Sequence, residues 1–269
     1  MQCPLLYRFR TIDRLPEPPS PAAARGTLVH SVLERLFDVA APERTVEHAR
    51  TLIAPQWAAL VADEPELESL VAEGPDGLRQ WIDDAAKLVD RWFQLEDPTR
   101  LEPAERELYV ETEIDGLTLR GYIDRLDIAP GGQLRVVDYK TGRSPSHLFE
   151  AKALFQMKFY ALVLWRARAV VPRMLQLVYL GNCEVVRYEP DERDLLATER
   201  KVQALWAAIG RSAAAGDWRP SPSRLCDWCS FRDRCPAHGG IAPPLPAHAK
   251  ELAIDPTRSG ATSSAEDPA

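Results

Sequence analysis

The chain is poor in cysteine, carries no excess of positive charge and contains no long apolar run. Each absence excludes something. No stretch approaches the length of a membrane span. Arg8, Arg10, Asp13 and Arg14 interrupt any apolar run near the start, so nothing there resembles a secretion signal. The expected compartment is the cytoplasm, where the five cysteines are expected as reduced thiols, available to metal rather than to disulfides. Asp and Glu total 40 against 33 Lys and Arg, a net charge of −7, so no chain-wide field attracts a polyanion and local patches must decide such binding. No Gly-x-x-x-x-Gly-Lys-Ser/Thr segment occurs, which excludes a P-loop motor. No internal repeat is evident. The 45% hydrophobic content leaves ample material for one large domain, or a core with an elaboration.

The few cysteines that are present are placed informatively. Three lie close together as Cys226-x-x-Cys229-x5-Cys235, and a fourth, Cys3, stands at the opposite end of the chain. A four-thiolate set divided in this way implies a metal centre that staples the two ends together, holding either zinc or an iron–sulfur cluster. Cys183 is the odd one, read as a packing residue at the start of a strand.

Along the chain, "PEPPSP" at 16–21 reads as a linker. Residues 22–39 follow as a helix with Val29, Val32, Leu33, Leu36 and Phe37 on one stripe. A helical region spans 43–94, punctuated by Pro55, Pro65, Gly74 and Pro75. "ERELYVETEI" then ends at Asp115-Gly116, a strong hairpin signal. "LTLRGYIDRLDIA" returns, and Gly131-Gly132 turns into "QLRVVDYKT", completing an antiparallel meander. A long helix is expected over 147–169, a strand pair near 173–180 and 184–189, and a last helix over 191–215. Residues 240–269, rich in Pro, Ala, Ser and acids, read as a disordered tail.

The chemistry concentrates in the meander. Asp138 and Lys140 flank Tyr139, so strand alternation points both to one face, and Asp124 lies on the neighbouring strand. Two carboxylates can hold Mg²⁺ or Mn²⁺, which prefer hard oxygen donors. A lysine beside them can orient or deprotonate a water, or stabilise a pentavalent phosphate. Asp127 is three residues past Asp124 and so faces the other side. His30 sits one turn after Gly26 on the first helix, either as a core histidine or as a ligand approached over the glycine. Gln156 and Tyr160 share one face of the long helix and could reach a point above the sheet.

Taken in order, "GTLVH" with His30, "GYIDRLD" with Asp124, "VVDYKTG" with Asp138 and Lys140, and "QMKFY" with Gln156 and Tyr160 resemble the RecB-like branch of the PD-(D/E)XK nucleases. The resemblance covers about residues 1–238. It implies an α/β fold: a restriction-endonuclease-like core of mixed β-sheet flanked by helices, with a helical insertion at about 43–101. It also implies that His30, Asp124, Asp138 and the Tyr139 carbonyl bind the catalytic Mg²⁺ or Mn²⁺, that Lys140 serves the hydrolytic water, and that Gln156 and Tyr160 contact substrate. The cysteine arrangement is similar to that of the iron–sulfur members, the AddB-type and CRISPR-adaptation nucleases. This favours a [4Fe–4S] cluster on Cys3, Cys226, Cys229 and Cys235, with Zn²⁺ as the lesser alternative.

The expected organisation is a nuclease domain over 1–239 and the tail over 240–269. Related proteins carry a short segment before the first cysteine, so an N-terminal piece is expected to be missing. Lacking helicase motifs, the chain is expected to be a stand-alone exonuclease acting on single-stranded or frayed DNA ends in repair or recombination, with a helicase or other repair protein as partner. Two alternatives remain open: an end-trimming subunit of a larger complex, as in CRISPR adaptation, and a non-catalytic DNA-binding iron–sulfur protein. Arg8, Arg10, Arg224, Arg232 and Arg234 gather around the cysteines as a candidate phosphate-contacting surface, and Trp218 and Trp228 are either base-stacking platforms or local core.

Overall fold

The computed structural model describes residues 3–72, 75–144 and 147–254. Its centre is a five-stranded sheet in the order β1-β2-β3-β4-β5. β1 (Glu105–Ile114) and β2 (Leu117–Ile128) form a long hairpin whose turn residues Asp115 and Gly116 both have positive φ, 50° and 76°. That is the turn whose twist matches two antiparallel strands, and Asp-Gly tolerates it best. β3 (Leu134–Lys140) pairs antiparallel with β2. The helix α5 (His147–Arg168) then carries the chain over to β4 (Met174–Tyr179), which runs parallel to β3, and β5 (Glu184–Tyr188) closes the edge antiparallel. One parallel pair in an otherwise antiparallel sheet makes it mixed, and the class is α/β as expected. Among the described residues, no helix is long and apolar enough to cross a membrane.

Three helices pack together beside the sheet. α2 (Pro21–Arg35) begins where Ser20 accepts from the Ala23 N–H and Pro21 takes the first helical position. Its stripe Leu28, Val29, Val32 and Leu33 is fully buried. α3 (Val46–Asp63) runs through Pro55, which the sequence suggested would interrupt it. A proline inside a helix costs ~3 kcal/mol, yet Ile53 and Trp57 on either side are buried in the core, and that packing holds the helix together. α4 (Pro75–Leu95) completes the layer with Trp81, Val89 and Trp92. The sheet contributes Val137, Tyr139, Val178 and Leu180 to the same core. The first helix is also shorter than the 22–39 expectation, because Leu36–Asp38 tighten into a single turn after α2.

Residue packing divides the chain into two units, 19–199 and a terminal unit of 1–18 with 200–269. The division falls within α6 (Glu192–Ala215). In the terminal unit α1 (Pro4–Tyr7) and the turn after it bury Leu5, Phe9 and Ile12 against Ile209, Ala213, Trp218 and Phe231. The two chain ends are thus joined by packing. Residues 240–254, expected as part of a disordered tail, are ordered. α7 (Ala249–Ile254) buries Ala249 and Ala253 in this core, and the Tyr7 hydroxyl donates to the Ala253 carbonyl. Alanines spaced four apart make an apolar helix stripe that composition alone does not reveal. The rest of the expected tail, 255–269, lies outside the described residues.

Candidate active site

The strand β3 delivers three consecutive functional groups because its middle residue is anchored beneath the sheet. Tyr139 is 4% exposed, and its hydroxyl accepts from the Arg125 guanidinium. Arg125 is itself buried and paired with Glu96 at 2.7 Å and Asp127 at 3.1 Å. Asp127 also holds Arg135 at 2.8 Å, so it serves this structural network and points away from Asp124, as alternation required. Burial disfavours charge on Glu96, but the hydrogen bonds and charge of Arg125 outweigh it and keep the carboxyl below its ordinary range.

With Tyr139 fixed, its backbone becomes part of the site. The Tyr139 N–H donates to Asp124 Oδ2 at 2.7 Å, and its carbonyl lies 2.9 Å from His30 Nε2. A carbonyl only accepts, so Nε2 carries the proton and Nδ1 keeps its lone pair, 3.6 Å from Asp124 Oδ2. Burial depresses the His30 pKa, which keeps the ring neutral and able to ligate. On the next residue Lys140 Nζ lies 2.6 Å from Asp138 Oδ2 and donates to Gln156 Oε1 at 3.2 Å. Gln156 in turn donates through Nε2 to the Tyr160 hydroxyl at 3.0 Å. Tyr160 lies close against β2 because Gly121 has no side chain: a Cβ there would stand 2.7 Å from Tyr160 Cε1. The structure therefore brings His30, Asp124, Asp138, Tyr139, Lys140, Gln156 and Tyr160 into one connected cluster.

A model of the PD-(D/E)XK nuclease superfamily matches residues 1–236. The chain belongs to this nuclease superfamily. It is 26% identical over 256 residues to the gene 69 protein of Mycobacterium phage D29, and 24% identical over 274 residues to that of phage L5. Each match covers 87% of this chain and 92% of the relative. Its fold is similar to the crystal structure of a candidate exonuclease from Eubacterium rectale, with a TM-score of 0.54 and 15% identity. That match covers 85% of this chain and 80% of the other.

One residue that the motifs did not reveal stands beside this cluster. Glu107, on β1, lies with His30 and Asp124 so that one ligand atom from each falls within 4.8 Å of the others. The signal was present in the turn: Glu107 stands eight residues before Asp115, and Asp124 eight after Gly116, so a two-residue hairpin sets them opposite each other. Glu107 also has φ of 43°, a left-handed conformation that is costly for a residue with a side chain. Burial, then the neighbouring Asp124, push its pKa up to about 7. Burial and Asp138 likewise push Asp124 up to about 7, and burial raises Asp138 as well. Glu107 and Asp124 stand close together, Asp138 adds to their repulsion, and a divalent cation would relieve it.

In the terminal unit Cys3, Cys226, Cys229 and Cys235 line one pocket together with Leu5, Phe9 and Phe231. All are free, partly buried thiols. The Ser221 N–H points at Cys3 Sγ at 3.4 Å and the Ser223 N–H at Cys226 Sγ at 3.3 Å, the kind of donor that stabilises metal-bound thiolate. Cys183 lies in the turn before β5 with φ of 51°, within 3.7 Å of Gln94 Oε1, rather than at the strand start.

One surface expectation is corrected, and the alternative left open for Trp218 falls to local core. Arg8 is buried, held by Asp13 at 3.0 Å and by the Pro243 carbonyl, so it belongs to the scaffold and its charge is compensated there. Trp218 is 6% exposed and stacked on Tyr7, so it is core, whereas Trp228 is 77% exposed.

Proposed function

We propose that the chain is a divalent-metal-dependent deoxyribonuclease of the RecB-like iron–sulfur branch, an exonuclease acting on single-stranded or frayed DNA ends in repair or recombination. The observation that supports this most is that ligand atoms of His30, Glu107 and Asp124 lie within 4.8 Å of one another, beside the Asp138–Lys140 pair. A buried anionic cluster has little reason to face a polyanion unless a cation joins them.

His30, Glu107, Asp124, Asp138 and the Tyr139 carbonyl would hold Mg²⁺ or Mn²⁺; the oxygen donors suit both, and the imidazole suits Mn²⁺ better. The bound cation would neutralise charge on the phosphate and lower the pKa of the attacking water. Lys140, steadied between Asp138 and Gln156, orients that water and offers its ammonium to the extra charge of the pentavalent transition state. Gln156 and Tyr160 line the approach and hold Lys140 in place. Cys3, Cys226, Cys229 and Cys235 would hold a [4Fe–4S] cluster; their free thiols and the two N–H donors aimed at sulfur support this.

The test is incubation of anaerobically purified protein with labelled linear and circular single-stranded DNA, with and without Mn²⁺, beside Lys140→Ala. Metal-dependent loss of the linear strand alone, absent in the variant, is the expected result. Attack on circles would make the enzyme an endonuclease, and cleavage surviving Lys140→Ala would remove the assigned site. Iron and acid-labile sulfide assays on the same protein separate the cluster from zinc.

A further inference from the structure

A cleft opens beside the site at His30 and Glu107. It is lined by His30, Glu107, Lys140 and Arg143, and it runs over Ala22, Thr141 and Gly142. Those last three residues also line a second cleft, whose far side is formed by Arg25, Lys87, Arg91 and Asp84, with Gly181 on its floor. The two clefts are therefore one groove crossing a low saddle. The saddle is low because backbone packs on backbone: a Cβ on Gly181 would stand 2.4 Å from the Gly142 carbonyl carbon.

The second half of this groove is electropositive in a chain that is acidic overall. Three cations face one carboxylate. Lys87 lies 2.8 Å from Asp84, while Arg25 reaches the same carboxylate only at 4.0 Å. Arg25 rests over the Trp81 ring at 4.8 Å, and its buried Nε has no hydrogen-bond partner among the described residues. Among the described residues, Arg91 donates to the uncharged carbonyls of Leu180 and Gly181, at 3.4 and 3.2 Å, which do not compensate its charge. Lys87 and Arg91 are one turn apart on α4 and so point the same way, about 6 Å apart along the helix. A row of cations at that interval suits successive phosphates of an extended strand better than one isolated anion.

We propose that this groove is the substrate track: α4 and Arg25 bind the phosphodiester backbone of a nucleic-acid strand immediately beyond the phosphate being hydrolysed. This rests on the nuclease reading, which it extends by giving the helical insertion a role. Asp84 then competes with the strand for Lys87 and Arg25 and tempers its affinity.

The experiment measures binding of a fluorescent oligothymidylate in Ca²⁺, without turnover, and separately the hydrolysis of bis(p-nitrophenyl) phosphate in Mn²⁺, which occupies only the scissile position. Lys87→Gln with Arg91→Gln is expected to weaken strand binding about tenfold or more, with a salt slope shallower by about 0.7 for each phosphate no longer neutralised. The small substrate is expected to react at the unaltered rate. Asp84→Asn is expected to tighten strand binding, a sign that misfolding would not produce. Unchanged strand affinity and salt slope in both variants would overturn the proposal. Competition by inorganic phosphate equal to that by strand phosphate would also overturn it, since the groove would then be an isolated anion site. Failure of the wild-type protein to hydrolyse the small substrate in Mn²⁺ would instead count against the nuclease reading, while the binding arm still reports on the groove.

Discussion

The N–H of Tyr139 donates to Asp124 at 2.7 Å while the hydroxyl of the same tyrosine, on the other side of the sheet, accepts from Arg125. One residue thus couples the carboxylate cluster to a buried ion network. Arg125 is 1% exposed and satisfies Glu96, Asp127 and Tyr139 at once. Arg125→Met leaves Glu96 buried without its paired cation, while Asp127 keeps Arg135, and breaking a buried pair in this way costs about 3–5 kcal/mol. Urea denaturation of the metal-free protein measures the loss. A loss below ~1 kcal/mol would show that the network is solvated enough to dispense with its arginine.

The raised carboxylates set the pH behaviour. Asp124 and Glu107 titrate at about 7 in the fold but near 4 when unfolded, so the metal-free folded state retains protons that the unfolded state has released. Stability of the metal-free protein therefore falls as pH rises from about 4 to about 7, and levels above that. A cation needs these groups deprotonated and removes their repulsion. The increase in Tm on adding Mn²⁺ is expected to be larger at about pH 8 than at about pH 5.5. Thermal melts at both values decide it, and an increment independent of pH would mean the cation binds elsewhere.

Glu107→Gln separates ligation from stability. Removing one of the crowded charges stabilises the metal-free protein above about pH 7, where all would otherwise be ionised. The same change weakens Mn²⁺ binding on the order of tenfold or more, because a ligand carboxylate is gone. Calorimetric titration with Mn²⁺ and a melt without it give the two signs. A variant with lower apo stability and unchanged Mn²⁺ affinity would make Glu107 structural.

How much of this could be read from the chain follows from the range of each signal. Asp138-x-Lys140 and the paired Gln156 and Tyr160 are local patterns, fixed by strand alternation and helix pitch, and the cluster they form is recognisable before folding. Glu107 needed hairpin register counted across the Asp115-Gly116 turn, and nothing in "ERELYVETEI" distinguishes it from the other glutamates there. The burial of Arg8 and Trp218 depends on partners more than 200 residues away or on a stacked ring from the far end of the chain, which composition does not encode. Pro55 within α3 shows tertiary packing overriding a strong local preference. The groove cations on α4 carry no motif at all; only the fold brings them beside Thr141 and Gly142.

Gly121 tests whether the chain Tyr160–Gln156–Lys140 acts as a unit. A side chain at this position meets the Tyr160 ring at 2.7 Å, too close for any real carbon contact, so the ring must move. Tyr160 accepts from Gln156, and Gln156 accepts from Lys140, so displacement passes along two hydrogen bonds to the lysine proposed to serve the water. A misplacement of ~1 Å at such a group can cost about a hundredfold in rate. Gly121→Val is therefore expected to lower kcat by one to two orders of magnitude, with Mn²⁺ affinity retained because Asp124 and His30 keep their tie to the Tyr139 backbone. Overpacking alone could lower activity by loosening the fold, at a cost of about 1–3 kcal/mol. The double-mutant cycle with Tyr160→Ala distinguishes the two. If displacement of the tyrosine is the cause, Gly121→Val has little further effect once that ring is removed, because the space it occupied accommodates the valine. An additive loss would place the effect of Gly121 in the strand itself and leave Lys140 positioned by Asp138 alone.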